Sequence, residues 1–263
     1  MNDRPARFAA IAFAFPCAVL ALLAAVPQAR AADAPARLTV RPPAAALSEY
    51  RLAIAHLPRP PNMVFQYAQT RSGPVRVVTE QHRVYRNLVG KERNETISFN
   101  GVPIAPVIVR IFSRSPWPYF PDRFFVSGEL YNAQFRGMTG RNRQRAYSFA
   151  LARPTPADFS LTGLQIDALR YLPVRETFDV TAGNCSGPGW IAFGPVAKYW
   201  LPREIAVTCT SRNLPGTGLQ TPAAVRFRES LRFSGWQFPP TVPSQVFGAA
   251  PQRQGPASPK NSP

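Results

Sequence analysis

Hydrophobic and polar side chains alternate along most of the middle of the chain. Segment 225–233, for example, carries Val, Phe, Glu, Leu and Phe at every second position, with Arg or Ser between them. The same period recurs in segments 63–67, 75–86, 95–99, 131–135, 147–151, 174–180 and 205–209. A period of two is typical of a strand with one buried face. About nine to eleven such strands, joined mostly by short turns, predict a mainly β fold in which an antiparallel sheet is curled or closed.

One segment before these strands has the period of a helix. Four apolar residues of segment 44–57 would share one helical face: Leu47, Tyr50, Ile54 and Leu57. The prolines that follow would end the helix. We expect this helix to pack on the sheet, with His56 as a residue of its end rather than a ligand. Further along, Asn100-Gly101 predicts a hairpin turn between two strands.

The two ends of the chain differ from the middle. Residues 1–31 combine Arg4 and Arg7, an apolar run and the small-x-small pattern Ala29-Arg30-Ala31, which together predict a cleaved signal peptide. A membrane anchor is the alternative, because the run is about long enough to span a bilayer. Three further units complete the predicted organisation: a Pro/Ala-rich linker at 32–43, a single domain at 44–240, and a disordered Pro/Ser/Gln-rich tail at 241–263.

Two of the three cysteines remain once the signal peptide is removed. Cys17 lies inside the apolar run, without the small residue that an acylated cysteine needs before it. In an exported protein the remaining pair, Cys185 and Cys209, predicts a disulfide. The alternative is a pair of free thiols, which an oxidising compartment disfavours.

The formal net charge is +17, and nearly all of it comes from arginine. The matching excess of alanine and proline makes a GC-rich genome the simplest source of this bias. Docking on anionic membranes or envelope polymers is the second interpretation. Nucleic acid is the third, and we do not expect it as a partner, because the arginines are spread along the chain without a nucleic-acid-binding motif.

The chain offers little material for catalysis. It has two histidines and lacks the G-x-S-x-G, S-x-x-K and H-E-x-x-H motifs. His82 could contact Glu80 on the same side of a strand, which in most proteins is a cross-strand or surface pair. Glu92 and Glu95 could form a carboxylate pair, although a solvated turn is the simpler interpretation. We therefore expect no enzymatic activity, no metal and no cofactor; a hydrolase using His82 or Glu80 is the rival.

Segment 103–125, PIAPVIVRIFSRSPWPYFPDRFF, is the most unusual part of the sequence. Its prolines exclude an ordinary central strand throughout. Its dense aromatic residues are either buried on the core or face something apolar. In the second case the segment is a lid or mouth of an apolar pocket. The residues predicted to bind an apolar ligand are Ile111, Phe112, Trp117, Tyr119, Phe120, Phe124 and Phe125.

Several stretches resemble one known family. They are SEYRLAIAHLPRPP from Ser48, YNAQFRGMTGRNRQRAYSFALARP from Tyr131, LRYLPVRETFDV from Leu169, AKYWLPREIAVTC from Ala197 and RFRESLRFSGWQFP from Arg226. In this order, after an export signal, they resemble the outer-membrane lipoprotein carrier (LolA/LolB-like) superfamily over residues 44–240. The resemblance implies an unclosed half-barrel around an apolar cavity, with an N-terminal helix and, here, a Pro/aromatic lid segment.

The resemblance also implies a class of function. Members of the family carry lipoprotein acyl chains, bind glycolipids or act as envelope stress sensors. We therefore expect an exported, non-catalytic binder or carrier of a lipid or acyl chain in the bacterial cell envelope, in the periplasm or outside the cell. An anionic membrane surface and an envelope protein are further partners to consider. The alternative is a protein-interaction or stress-sensing module that binds no lipid.

Overall fold

A computed structural model describes residues 41–74, 76–112, 130–141, 144–155, 157–181, 185–213 and 220–248. They form one α-helix, eleven strands and a short 3-10 helix. The helix is α1 (Pro43–Ala55) and the 3-10 helix is Ser244–Phe247. The strands are β1 (Met63–Ser72), β2 (Val77–Arg86), β3 (Glu92–Phe99), β4 (Val102–Phe112), β5 (Asn132–Thr139), β6 (Ala146–Ala152), β7 (Phe159–Asp167), β8 (Pro173–Val180), β9 (Gly187–Val196), β10 (Tyr199–Asn213) and β11 (Gln220–Gln237).

All eleven described strands belong to one antiparallel sheet, in the order β4-β3-β2-β1-β11-β10-β9-β8-β7-β6-β5. Strands adjacent in sequence are also adjacent in the sheet, except that β4 and β5 lie at its opposite edges. β1 pairs instead with β11, so the two ends of the domain meet at the middle of the sheet. The sheet curls but does not close, which confirms the predicted mainly β, unclosed half-barrel.

The curl has local causes in the sequence. Register shifts of the β-bulge type interrupt most strand pairs, for example between Phe135 and Gly137 in β5 and between Pro202 and Glu204 in β10. A bulge bends its strand and increases its twist. Gly189 permits a close aromatic contact in β9, because a Cβ there would lie 2.4 Å from Cζ of Phe178 on β8. The sheet can therefore wrap around its own apolar side chains.

Helix α1 covers part of the buried face. Pro43 occupies the first turn, where its missing N–H costs nothing, and the C-cap is His56, as predicted. Ala46, Tyr50 and Ile54, spaced by four residues, are at most 3% exposed. The start of the helix is held by the Tyr147 hydroxyl, which donates to the carbonyl of the residue at position 41 at 3.0 Å. None of the described helices is long and apolar enough to cross a membrane.

Two features of the edge hairpin agree with the sequence. Asn100 and Gly101 have φ angles of 48° and 82°, the left-handed values that a tight type I′ turn requires. β4 then accommodates Pro103 and Pro106 within a strand. It can do so because it is an edge strand, where a missing N–H need not interrupt a ladder on its outer side.

The chain beyond β11 returns to the sheet. Asn62 donates to the Pro240 carbonyl at 2.7 Å, and Arg93 of β3 donates to the Val246 carbonyl at 2.8 Å. The 3-10 helix thus lies against β3. It falls inside segment 241–263, for which the sequence predicts disorder. Positions 249–263, like the predicted signal peptide and most of the linker, lie outside the described residues.

The predicted disulfide joins Cys185 to Cys209, with their Cα atoms 4.8 Å apart. The neighbouring residues reinforce the connection. Ser186 and Thr210 form an antiparallel bridge in which the Thr210 N–H donates to the Ser186 carbonyl at 2.8 Å. The bond therefore ties the start of β9 to the far part of β10.

Candidate functional site: the inner face and its open edges

The exposed apolar side chains concentrate on the edges of the open sheet. Among the described residues, the large hydrophobic side chains exposed along β4 are Val102, Ile104, Val107, Val109 and Ile111. On the opposite edge, Phe135 of β5 is 40% exposed and Leu130, just before β5, is 47% exposed. We call these seven residues the apolar edges. Exposed apolar residues grouped on the edge strands of a sheet are typical of interaction surfaces.

The sequence-predicted ligand residues fall partly on these edges. Ile111 is 40% exposed near the end of β4, and Phe112 is the last residue of that strand. The other five predicted residues, Trp117, Tyr119, Phe120, Phe124 and Phe125, lie outside the described residues. They belong to the connection between β4 and β5, so both ends of that connection attach to the edge strands.

A row of directly paired residues crosses the inner face from β5 to β2. In order it comprises Phe135, Phe149, Leu164, Glu176, Ile191, Ile205, Leu231, Gln69 and Glu80. Residues paired directly across a sheet project from the same face, so these nine side chains form one line. The line begins at an exposed phenylalanine, runs through buried apolar residues and ends at polar ones.

Glu176 interrupts the apolar part of this row. Its side chain is fully buried, between Leu164 of β7 and Ile191 of β9, each 1% exposed. Neither carboxyl oxygen of Glu176 has a hydrogen-bond partner. Burial alone raises the pKa of this carboxyl well above its ordinary value, so it is held as the neutral acid. Leaving such a group without a partner costs about 1–3 kcal/mol.

A polar cluster occupies the other end of the inner face, on β1, β2 and β3. His82 is 3% exposed and stacks on Tyr67 with ring centroids 4.5 Å apart. Its Nε2 lies 3.1 Å from a Glu80 carboxylate oxygen, and its Nδ1 lies 3.2 Å from Oδ1 of Asn94. Asn94 in turn donates from Nδ2 to the Tyr67 hydroxyl at 2.6 Å. The contact between His82 and Glu80 is thus confirmed, but it is buried rather than on the surface.

The ionisation of this cluster is set by burial. Burial lowers the pKa of His82, while the Glu80 carboxylate and the Asn94 contact oppose the shift without overcoming it. Burial likewise raises the pKa of Tyr67 to about 12. Both rings are therefore neutral at pH 7, and the imidazole acts as a hydrogen-bonding group of the wall.

Arg71 joins the cluster to β11. Its guanidinium lies 3.4 Å from Glu80 and 3.4 Å from Glu229, so one cation bridges two carboxylates. Gln69 donates to the second of these, Glu229, at 2.6 Å. The three charged side chains are 19–26% exposed, which places them at the boundary between the inner face and solvent.

The cluster has some features of a catalytic arrangement. The Thr96 hydroxyl lies 3.4 Å from Nδ1 of His82, and Glu80 lies beyond Nε2, so a hydroxyl, a base and an acid follow one another. Asn94, however, is closer to Nδ1 than Thr96, and the imidazole is almost inaccessible to solvent. Within the described ranges, no three His, Cys, Asp or Glu side chains group to hold a metal ion.

The Glu92 and Glu95 pair cannot act as two facing carboxylates. Both residues lie within β3, not in a solvated turn, and are 0% and 5% exposed. Glu92 pairs with Arg86, and Glu95 pairs with Arg93. Side chains three positions apart on a strand point to opposite faces. The prediction of a polar turn was therefore wrong, because each carboxylate is buried beside its own arginine.

The outer face of β11 is basic, as its alternation predicted. Arg226, Arg228 and Arg232 are exposed, while Phe227 and Leu231 between them are buried. Arg232 is 3.5 Å from Glu204. Strand β11 thus has a basic outer face, and apolar residues alternate with these arginines on its inner face.

Comparison with known proteins concerns the fold. No protein-family model matches the sequence, and no curated protein matches it. Among solved structures, a LolA superfamily protein from Nitrosomonas europaea matches with 10% identity over 78% of this chain and 97% of its own, at a TM-score of 0.39. A putative outer membrane lipoprotein-sorting protein domain from Vibrio parahaemolyticus matches with 13% identity over 76% and 95%, at a TM-score of 0.42.

A third match is the MucA/MucB complex of Pseudomonas aeruginosa, with 11% identity over 71% of this chain and 93% of that one, at a TM-score of 0.24. All three similarities are similarities of fold at low sequence identity.

Proposed function

We propose that the protein is an exported, non-catalytic binder or carrier of an apolar ligand, a lipid or acyl chain, in the bacterial cell envelope. One observation carries this proposal: the seven residues of the apolar edges lie on or beside β4 and β5, the two edges of an open sheet whose inner face is largely apolar from β6 to β11. An acyl chain at these edges would gain roughly 0.8 kcal/mol for each methylene it buries.

The aromatic connection between β4 and β5 extends this surface in the proposal. Trp117, Tyr119, Phe120, Phe124 and Phe125 would join Ile111 and Phe112 as a lid or mouth for the ligand. Because this connection starts and ends at the two apolar edges, its aromatic residues can reach a ligand bound between them.

Export is supported by features of different parts of the chain. The disulfide between Cys185 and Cys209 persists in an oxidising compartment. The predicted signal peptide at 1–31 would direct the chain there. The periplasm and the extracellular space both satisfy these features.

Ligand binding is tested by native mass spectrometry of gently purified protein, followed by uptake of a fluorescent fatty-acid probe. Val107→Lys and Ile111→Lys place charges on the apolar edge and should weaken probe uptake. Leu88→Lys is the matched control, because Leu88 is 74% exposed in the turn between β2 and β3 and is not a residue of the apolar edges. Its uptake should equal that of the wild type.

A second pair of variants tests the aromatic connection. Trp117→Ala and Phe120→Ala should lose co-purified lipid while the circular dichroism spectrum stays strand-dominated. Wild-type protein that carries no lipid and takes up no probe would refute the proposal.

A protein-interaction or sensing module is the second candidate function. The edge strand β4 favours it, since an unpaired strand can accept an extended peptide from a partner. In that case the empty protein would capture one envelope protein, and Val107→Lys would weaken capture.

A hydrolase is the least supported alternative. It would be supported if an esterase, peptidase and glycosidase screen found an activity that His82→Ala abolishes.

A further inference from the structure

The row of paired residues on the inner face contains one polar side chain without a hydrogen-bond partner, Glu176. Glu176 stands fourth in the row of paired residues that starts at the exposed Phe135. Three strand spacings separate the two, a distance of roughly 14 Å along the sheet. Both carboxyl oxygens lack a hydrogen bond, and the residue is fully buried. An apolar residue at this position would avoid the cost of burying an unpartnered acid.

The surroundings of Glu176 restrict what could bind it. Leu164 and Ile191 flank it across the sheet, and Phe178, two positions along β8, projects from the same face. No charged group contributes to its ionisation, since burial is the only cause of its shift. A neutral carboxylic acid has one O–H donor to offer. The partner that matches it is a neutral acceptor oxygen with apolar groups on both sides.

We infer that Glu176 is a ligand-recognition residue that donates a hydrogen bond to the carbonyl oxygen of an acyl ester. An ester fits this position because it is uncharged and carries hydrocarbon on both sides of its carbonyl. A free carboxylate fits poorly, because its charge would have to be buried among Leu164, Ile191 and Phe178 without a cation. The inference deepens the proposed function and rests on it, since it requires a ligand on the inner face.

Three probes with the same fluorophore test the inference: 1-dodecylpyrene, pyrenedodecanoic acid and the methyl ester of that acid. Wild-type protein should bind the ester about three- to tenfold more tightly than the hydrocarbon, the range of one net hydrogen bond. It should bind the free acid less tightly than the ester at pH 7.5.

Two variants separate the hydrogen bond from packing. Glu176→Leu should bind the ester no more tightly than the hydrocarbon, while its affinity for the hydrocarbon is kept. Glu176→Gln retains a donor and should keep a preference for the ester. If Glu176→Leu keeps the wild-type preference, or if wild-type protein binds ester and hydrocarbon equally, the inference is overturned and the proposed function stands. If wild-type protein binds none of the three probes, the proposed function fails and the inference fails with it.

Discussion

The buried acid Glu176 should give the protein an unusual dependence of stability on pH. In the folded protein, burial raises its pKa well above 4.5, whereas in the unfolded chain the carboxyl returns to its ordinary value. Between these two pKa values the unfolded chain releases the proton and the folded protein keeps it. Folding stability contributed by this group is therefore present at pH 4.5 and is lost as the pH rises towards the folded pKa.

The magnitude follows from proton linkage. One proton retained by the folded state alone lowers the free energy of unfolding by about 1.4 kcal/mol for each pH unit. For a domain of this size that corresponds to roughly 3–6 °C of melting temperature per pH unit. Glu176→Gln removes the titrating group and keeps a polar side chain of similar size. The free energy of unfolding of this variant minus that of the wild type should therefore be smallest at pH 4.5 and should grow by about 1.4 kcal/mol for each pH unit.

Urea unfolding followed by tryptophan fluorescence at half-unit intervals from pH 4.5 to 8 measures this difference directly. Asp179→Asn is the matched control, because Asp179 is an exposed carboxylate on the same strand. Its difference from the wild type should not show this growth. If the difference between Glu176→Gln and the wild type is constant across the range, the carboxyl is not held neutral and the description of the inner face is incorrect.

Three further predictions concern other parts of the molecule. Cys209→Ala should lower the free energy of unfolding by about 3–4 kcal/mol, because the bond between cysteines 24 residues apart restricts the entropy of the unfolded chain. Wild-type exported protein should show no alkylatable thiol in that pair. The stability of the wild type relative to His82→Gln should fall as the pH drops below about 6.5, because burial lowers the folded pKa of His82 and only the unfolded chain takes up a proton there; His56→Gln at the exposed helix end is the control. Arg226→Gln combined with Arg228→Gln should reduce binding to vesicles rich in anionic lipid at low salt, and equal binding would exclude the outer face of β11 from membrane docking.

Local patterns were sufficient for several of the secondary-structure elements. The alternation in 225–233 identified a strand with a buried and a basic face, and Asn100-Gly101 identified the turn between β3 and β4. Both depend on the period of side chains or on backbone φ, which neighbouring residues determine. The disulfide was also predictable, since only one pair of cysteines remains after the signal peptide.

The same local patterns misjudged residues whose partners are distant in sequence. Glu92 and Glu95 looked like part of a solvated turn because their short segment is polar. Their burial depends on β2 and on Arg86 and Arg93. The 3-10 helix Ser244–Phe247 has the composition of the predicted disordered tail, whereas its place beside β3 depends on a contact distant in sequence, that of Arg93 with the Val246 carbonyl.

What the sequence determined by itself was therefore the alternation, the helix, the turns and the paired cysteines. The tertiary structure decided which strands became edges and which side chains came to lie side by side. Among the described strands, pairing of β1 with β11 leaves β4 and β5 with a strand neighbour on one side only, and the apolar residues of β4 are exposed. The register across β7, β8 and β9 places Glu176 between Leu164 and Ile191, residues that are 12 and 15 positions away in sequence. Alternation marks the face on which a glutamate lies, but only the pairing of strands determines whether that glutamate finds a partner.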